Sequence, residues 1–180
     1  MRLGALLICT FLMIGGGTAQ AGLLFDGETI RLTYEFPAVG SIFDTRTFVV
    51  GAGVEAPAFP TGDPRTNTDF SDMNITSIFV SASSWTGASF NGYHVFDLNG
   101  TIPAITSVLI NPATNMAGLT LARISWDADN IYVNWQGLPF NSDTVVSIDV
   151  NTPEPATLVL MGSGLALLAA GWRRRRRPAA

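Results

Sequence analysis

The chain has 180 residues, fourteen carboxylates, ten arginines, no lysine, one histidine and one cysteine, for a net charge of −4. That length bounds the answer at about one domain with accessory segments. Five of the arginines are clustered at positions 173–177, and between Gly22 and Val150 four arginines face thirteen carboxylates, a net charge of −9. So acidic a body repels nucleic acid and anionic membrane surfaces, which excludes nucleic-acid binding.

Met1-Arg2 is a minimal positive start, and Leu3 to Gly17 carries no charge. Thr18-Ala19-Gln20-Ala21 ends in the small-x-small pattern set by Ala19 and Ala21. Together these predict a secretory signal peptide over 1–21, cut after Ala21, and imply the Sec translocon and signal peptidase as partners. Three successive glycines, Gly15 to Gly17, argue against an uncleaved membrane helix. The single cysteine, Cys9, lies inside this leader, so the exported chain is expected to hold no thiol, disulfide or cysteine-based metal site.

From 22 to 150 the apolar residues recur with period two, the mark of antiparallel strands with one wet face. In "ETIRLTYEF", Ile30, Leu32, Tyr34 and Phe36 oppose Thr29, Arg31, Thr33 and Glu35. "TRTFVV", "ITSIFVSA", "YHVFDL" and "AITSVLI" are shorter runs of the same kind. "LTLARISW" sets Thr120, Ala122, Ile124 and Trp126 against Leu119, Leu121 and Arg123. "NIYVNW" aligns Ile131, Val133 and Trp135, and "TVVSIDV" aligns Val146, Ile148 and Val150. Turn residues such as Asn91-Gly92, Asn99-Gly100 and Asp129-Asn130 separate these runs. About nine or ten such strands predict an all-β, antiparallel sandwich or jelly-roll-like domain. The proline-rich "APAFPTGDPRTNTD" is expected to be the longest loop.

Candidate chemistry in this body is sparse. His94, with Asp97 three residues on, lacks a nucleophile on a strained turn, and the body contains no Gly-x-Ser-x-Gly. A strand histidine with its tip at the surface is the expectation, with no catalytic residue and no cofactor. "WDADN" (Asp127, Asp129, Asn130) and "TDFSDMN" (Asp69, Asp72, Asn74) carry oxygen ligands suited to calcium, against a reading as strand-end turns. Trp126 and Trp135 share faces with Ile124 and Val133 and belong to the core. Trp85 is the tryptophan left free to stack on a sugar. Asn74-Ile75-Thr76 and Asn99-Gly100-Thr101 match the glycosylation acceptor pattern, a weak signal.

The tail carries more information. Thr157 to Trp172 is a run of sixteen residues without charge. As a helix it spans about 24 Å, short of a hydrocarbon core of about 30 Å. Arg173, Arg174, Arg175, Arg176 and Arg177 follow it, act as a stop-transfer block, and place the body outside the cytoplasm. Ahead of it, Pro153-Glu154-Pro155 is held extended by its prolines, suited to a protease cleft that takes its substrate as a strand.

Proline-glutamate-proline, a short apolar span over 156–172 and an arginine cluster at 173–177 together resemble the PEP-CTERM sorting signal. The segment "FNGYHVFDL" through "ISWDADNIYVNWQGL" is similar to a recurrent β domain of such proteins. The resemblance implies that Pro153, Glu154 and Pro155 are a recognition element for exosortase, a polytopic membrane cysteine enzyme. It also implies a Gram-negative host that makes extracellular polysaccharide and biofilm. The resulting expectation is a non-enzymatic exported protein with a signal peptide at 1–21, a β-sandwich ectodomain at 22–150 and a sorting signal at 151–180. It would pass through an inner-membrane intermediate, held by one C-terminal hydrophobic helix, to the cell surface or the medium. The alternatives are a carbohydrate- or calcium-binding adhesin in contact with extracellular polysaccharide, and a permanently anchored protein.

Overall fold

The computed structural model describes residues 24–152. The alternation read above folds into twelve strands: β1 (Thr29–Glu35), β2 (Ile42–Val49), β3 (Ala56–Phe59), β4 (Thr66–Ser71), β5 (Asn74–Phe79), β6 (Ser83–Ser84), β7 (Gly92–Asp97), β8 (Ser107–Ile110), β9 (Ile124–Trp126), β10 (Asn130–Asn134), β11 (Pro139–Phe140) and β12 (Val145–Asn151). They form two five-stranded antiparallel sheets, ordered β2-β1-β7-β10-β9 and β3-β4-β5-β12-β8, and a small β11-β6 pair. The layers are those of a β-sandwich. The signal peptide expected over 1–21 and the hydrophobic helix expected over 156–172 lie outside the described residues. Among the described residues no helix is long and apolar enough to cross a membrane.

The core lies between the sheets and is largely aromatic. Trp85 and Trp135 meet with ring centroids 5.1 Å apart, and Tyr93 lies 4.5 Å from Trp135. Phe79 packs against both indoles and against Phe140. Rings of this size, in tilted and edge-on contact, dominate core energetics. The indole N–H groups of Trp85 and Trp135 are buried without an acceptor. Each such group costs about 1–3 kcal/mol, which the surrounding burial has to offset.

A polar seam crosses this core. The Tyr93 hydroxyl on β7 lies 2.6 Å from Thr66 Oγ1 and 3.0 Å from the Phe59 carbonyl, both in the opposite sheet. Thr66 reaches Thr68, which reaches Ser77 at 2.8 Å. Burial pushes the Tyr93 phenol well above its ordinary pKa, so it stays a neutral donor. The seam fixes how β7 sits over β4, because sliding either sheet strands several buried hydroxyls at once.

Three expectations need correction. The stretch 56–69 is not a loop: it supplies β3 and the start of β4. Thr66, Thr68 and Phe70 alternate inward, and the two threonines are buried because the seam satisfies their hydroxyls. Residues 121–123 form a 3₁₀ turn, so the strand after it is only Ile124–Trp126. Finally, the second face of β1 is not wet along its length: Thr33 and Glu35 are buried.

Gly92 shows how tightly β7 and β10 approach. A Cβ built there would collide with the Val133 carbonyl oxygen and its carbon. The obstacle is backbone, so it cannot rotate away. Gly92→Ala is expected to cost about 3 kcal/mol, at the upper end for overpacking. A urea titration showing a loss below 0.5 kcal/mol, a small fraction of that overpacking cost, would mean the two strands are looser than described.

Candidate functional site

Two regions compete for attention, the outer face of the β1 sheet and the root of the tail. On the outer face, register places Thr33 opposite His94 and His94 opposite Tyr132. Glu35, two residues along β1 from Thr33, reaches His94: Glu35 Oε1 lies 2.8 Å from Nδ1, with its side chain only 3% exposed. The Gly40 N–H donates to Glu35 Oε2 at 2.8 Å, and Thr33 Oγ1 donates to Oε1 at 3.3 Å. On the other side of the ring, Nε2 lies 2.8 Å from Asn130 Oδ1. Asn130 Nδ2 donates to Asp127 Oδ1, also at 2.8 Å. The imidazole stacks on Tyr132, centroids 4.2 Å apart and planes 20° from parallel.

This network is closed. Both ring nitrogens of His94 are engaged, one with Glu35 Oε1 and the other with Asn130 Oδ1. No hydroxyl or thiol nucleophile sits at either nitrogen, because carboxylate and amide occupy both places. The expected surface-tipped histidine is therefore half-buried and engaged. Its partner Glu35 was missed because period two places it on the solvent face, and only the register between β1 and β7 brings the pair together.

Of the candidate calcium residues, Asp127, Asp129 and Asn130 are gathered into one turn. Asp127 Oδ1 accepts from the backbone N–H groups of Asp129 and Asn130 and from the Asn130 amide. These bonds, the Asn130 side chain first, hold its carboxyl below the usual range. A lowered folded-state pKa means that its contribution is present near neutral pH and lost as pH falls through that lowered value. Asn74 Nδ2 donates to Asp149 and Ser147 across the second sheet, so the amide of that glycosylation pattern is engaged. Asp69 points outward from β4, where desolvation, and then Glu55, raises its pKa. Among the described residues no three carboxylate, histidine or cysteine groups converge to hold a metal ion.

Trp85, expected to be the sugar-facing ring, is 5% exposed and belongs to the core. Its burial follows from the β11-β6 pair, which brings Trp85 N to the Leu138 carbonyl at 2.9 Å and turns the ring inward. Around His94 on the outer face, Tyr132 and Phe96 are half-exposed, as are Phe36, Phe48 and Trp126 elsewhere, while Phe43 on β2 is 60% exposed. Beyond Tyr132, whose ring lies 6.3 Å from Phe90, an open hollow is lined by Phe90, Arg123, Ser125, Asn134 and Gln136.

The root of the tail is the end of β12. Its pairing with β5 ends at Asp149, and its pairing with β8 runs on to Asn151, which pairs with Ser107. Pro153, Glu154 and Pro155, the arginines 173–177, and Ala19 and Ala21 all lie outside the described residues. Residues 151–176 match the family described as the PEP-CTERM protein-sorting motif. The chain carries this sorting motif. The match begins on the last residue of β12, so signal and domain adjoin without a spacer. A motif of this kind implies exosortase as processing partner and export to the cell envelope or surface. No curated protein and no solved structure matches the chain.

The His94 network gives a stability prediction. His94→Ala leaves the buried Glu35 side chain short of a hydrogen-bonding partner and is expected to cost about 2 kcal/mol. Replacing both, His94→Leu with Glu35→Leu, should recover most of that loss in urea melts. A single variant as stable as the parent would show that the pair holds nothing together.

Proposed function

We propose that the protein is a non-enzymatic surface or extracellular-matrix component, processed by an exosortase through Pro153-Glu154-Pro155 and delivered outside the inner membrane. The observation that supports this is the sorting motif at 151–176, joined directly to a folded β domain. In this reading the tail is a temporary hold. The arginines at 173–177 stop transfer, the short apolar span keeps the chain at the membrane, and the proline-flanked glutamate lies where a membrane enzyme reaches it. The closed hydrogen bonding of His94 supports the absence of catalysis, since a general base needs a free nitrogen facing its substrate.

A second reading, a binding module for matrix polysaccharide, is favoured by the outer face of the β1 sheet. Tyr132 offers aromatic surface, and Gln136 and Ser125 offer hydrogen-bonding groups in the hollow beyond it. That mixture is what sugars require, apolar ring faces flanked by a few oriented polar groups. Binding to a glycan array that is lost in Tyr132→Ala, with the melting temperature kept, would support it; an array blank for the parent protein would remove it.

For the sorting reading, Glu154→Ala or deletion of 173–177 is expected to leave unprocessed chain in the membrane of an exosortase-bearing host. The mature C-terminus read by mass spectrometry should lie before Trp172. A mature chain that retains Trp172 and the arginines would contradict processing and leave a permanently anchored protein.

A further inference from the structure

Both ends of the described domain leave it at one place. The amide N–H groups of Leu24 and Phe25 donate to the Asp72 carbonyl at 2.8 and 3.1 Å, and the Val150 N–H donates to the Met73 carbonyl at 2.7 Å. Asp72 and Met73 are the turn between β4 and β5. One two-residue turn therefore grips the incoming chain and the outgoing one. Asn151 is held from the opposite side. Its carbonyl accepts from Thr106 N at 2.8 Å and Thr106 Oγ1 at 3.0 Å, and its amide donates to Ser107 at 3.1 Å.

Covalent geometry then limits the reach of the signal. From Asn151 to Pro155 is four residues, which extends at most about 14 Å. That is about half the diameter of a small domain, roughly 30 Å. A cleft closing around Pro153-Glu154-Pro155 as an extended strand must meet the loops at the chain exit in the same event. Those loops, at 24–28, 50–55, 71–74, 98–106 and 127–130, contain Asp26, Glu28, Glu55, Asp72, Asp127 and Asp129 and no basic residue. Arg65 and Arg123 belong to the far end, and Arg46 sits mid-strand on β2. The basic side chain in the strands nearest the exit is Arg31, two residues into β1.

We propose that this end of the sandwich is a docking surface for the enzyme that reads the sorting motif, and that the enzyme's surface around its cleft is basic. The proposal rests on the sorting reading above. Chain length brings the two surfaces together, and the sign of the charge selects protein over an anionic bilayer, which repels this end. The exit loops then act on the processing rate through the encounter of enzyme and substrate.

The test uses the full chain in an exosortase-bearing host. Asp26→Lys, Asp72→Asn and Asp129→Lys are combined, since these three carboxylates are exposed and take part in no side-chain hydrogen bond among the described residues. Processing is expected to slow about tenfold, as when rim charges govern association, while export and melting temperature stay as in the parent. Ten Gly/Ser residues inserted between Thr152 and Pro153 should bring the parent and the triple variant to the same rate. Equal rates without the insertion would overturn the proposal and leave the sorting reading standing, because the parent is processed. A parent chain that is not processed, alongside residues 151–180 fused to an unrelated neutral domain and equally unprocessed, would overturn both. Purified chain and enzyme in nanodiscs of phosphatidylcholine alone should keep the tenfold difference. A difference confined to anionic lipid would assign the surface to the membrane and overturn the proposal.

Discussion

The hydrogen bonds that hold the last residues of β12 govern what this molecule can do with its tail. Val150 is tied to the β4–β5 turn and Asn151 to Thr106 and Ser107, so order extends to within two residues of Pro153. A frayed last strand would make the sorting signal an independent tag on a flexible tether, readable with no reference to the domain. A pinned one makes folding and presentation a single event. β12 lies inside its sheet with neighbours on both sides, and its last residues cannot fray without giving up the β8 pairing and the bond to the Met73 carbonyl.

What keeps β12 in place is the pairing of the two sheets. Val146, Ile148 and Val150 face the core where Trp135 and Tyr93 come across from the first sheet. The apolar area buried there drives the layers together without direction. Direction comes from the hydroxyl seam of Tyr93, Thr66, Thr68 and Ser77, and along one margin from Arg46 Nη1 donating to the Pro57 carbonyl at 2.7 Å. Charge is then sorted along the long axis, with carboxylates crowding the end where the chain leaves. This polarity is invisible in the net charge of the whole sequence, which the five terminal arginines pull toward neutrality.

Much of the architecture was legible because period two is a strong signal in sheets with one buried face. Ile131, Val133 and Trp135, and Val146, Ile148 and Val150, are buried as their spacing predicts. The signal failed where threonine fills the inward positions. Thr66 and Thr68 read as polar until the partners that satisfy their hydroxyls are known, and those partners sit on other strands. Glu35 failed for the same reason, its burial depending on His94 59 positions away along the chain. Trp85 was misplaced because its neighbours "SSWTGASF" carry turn chemistry, while a two-residue pairing with Phe140 and Pro139 turns the ring inward. The sorting motif needed no such partners. Its three parts are contiguous and defined by residue type, so they can be read in sequence without a fold.

Amide hydrogen exchange on the membrane-held full-length chain tests the central claim, that the folded domain runs directly into its sorting signal. The Val150 and Thr106 amides should exchange only through global unfolding, as slowly as those in the middle of β12. Fast exchange at these two positions, with the middle of β12 still protected, would show a frayed strand end and a free tether, and would contradict the account.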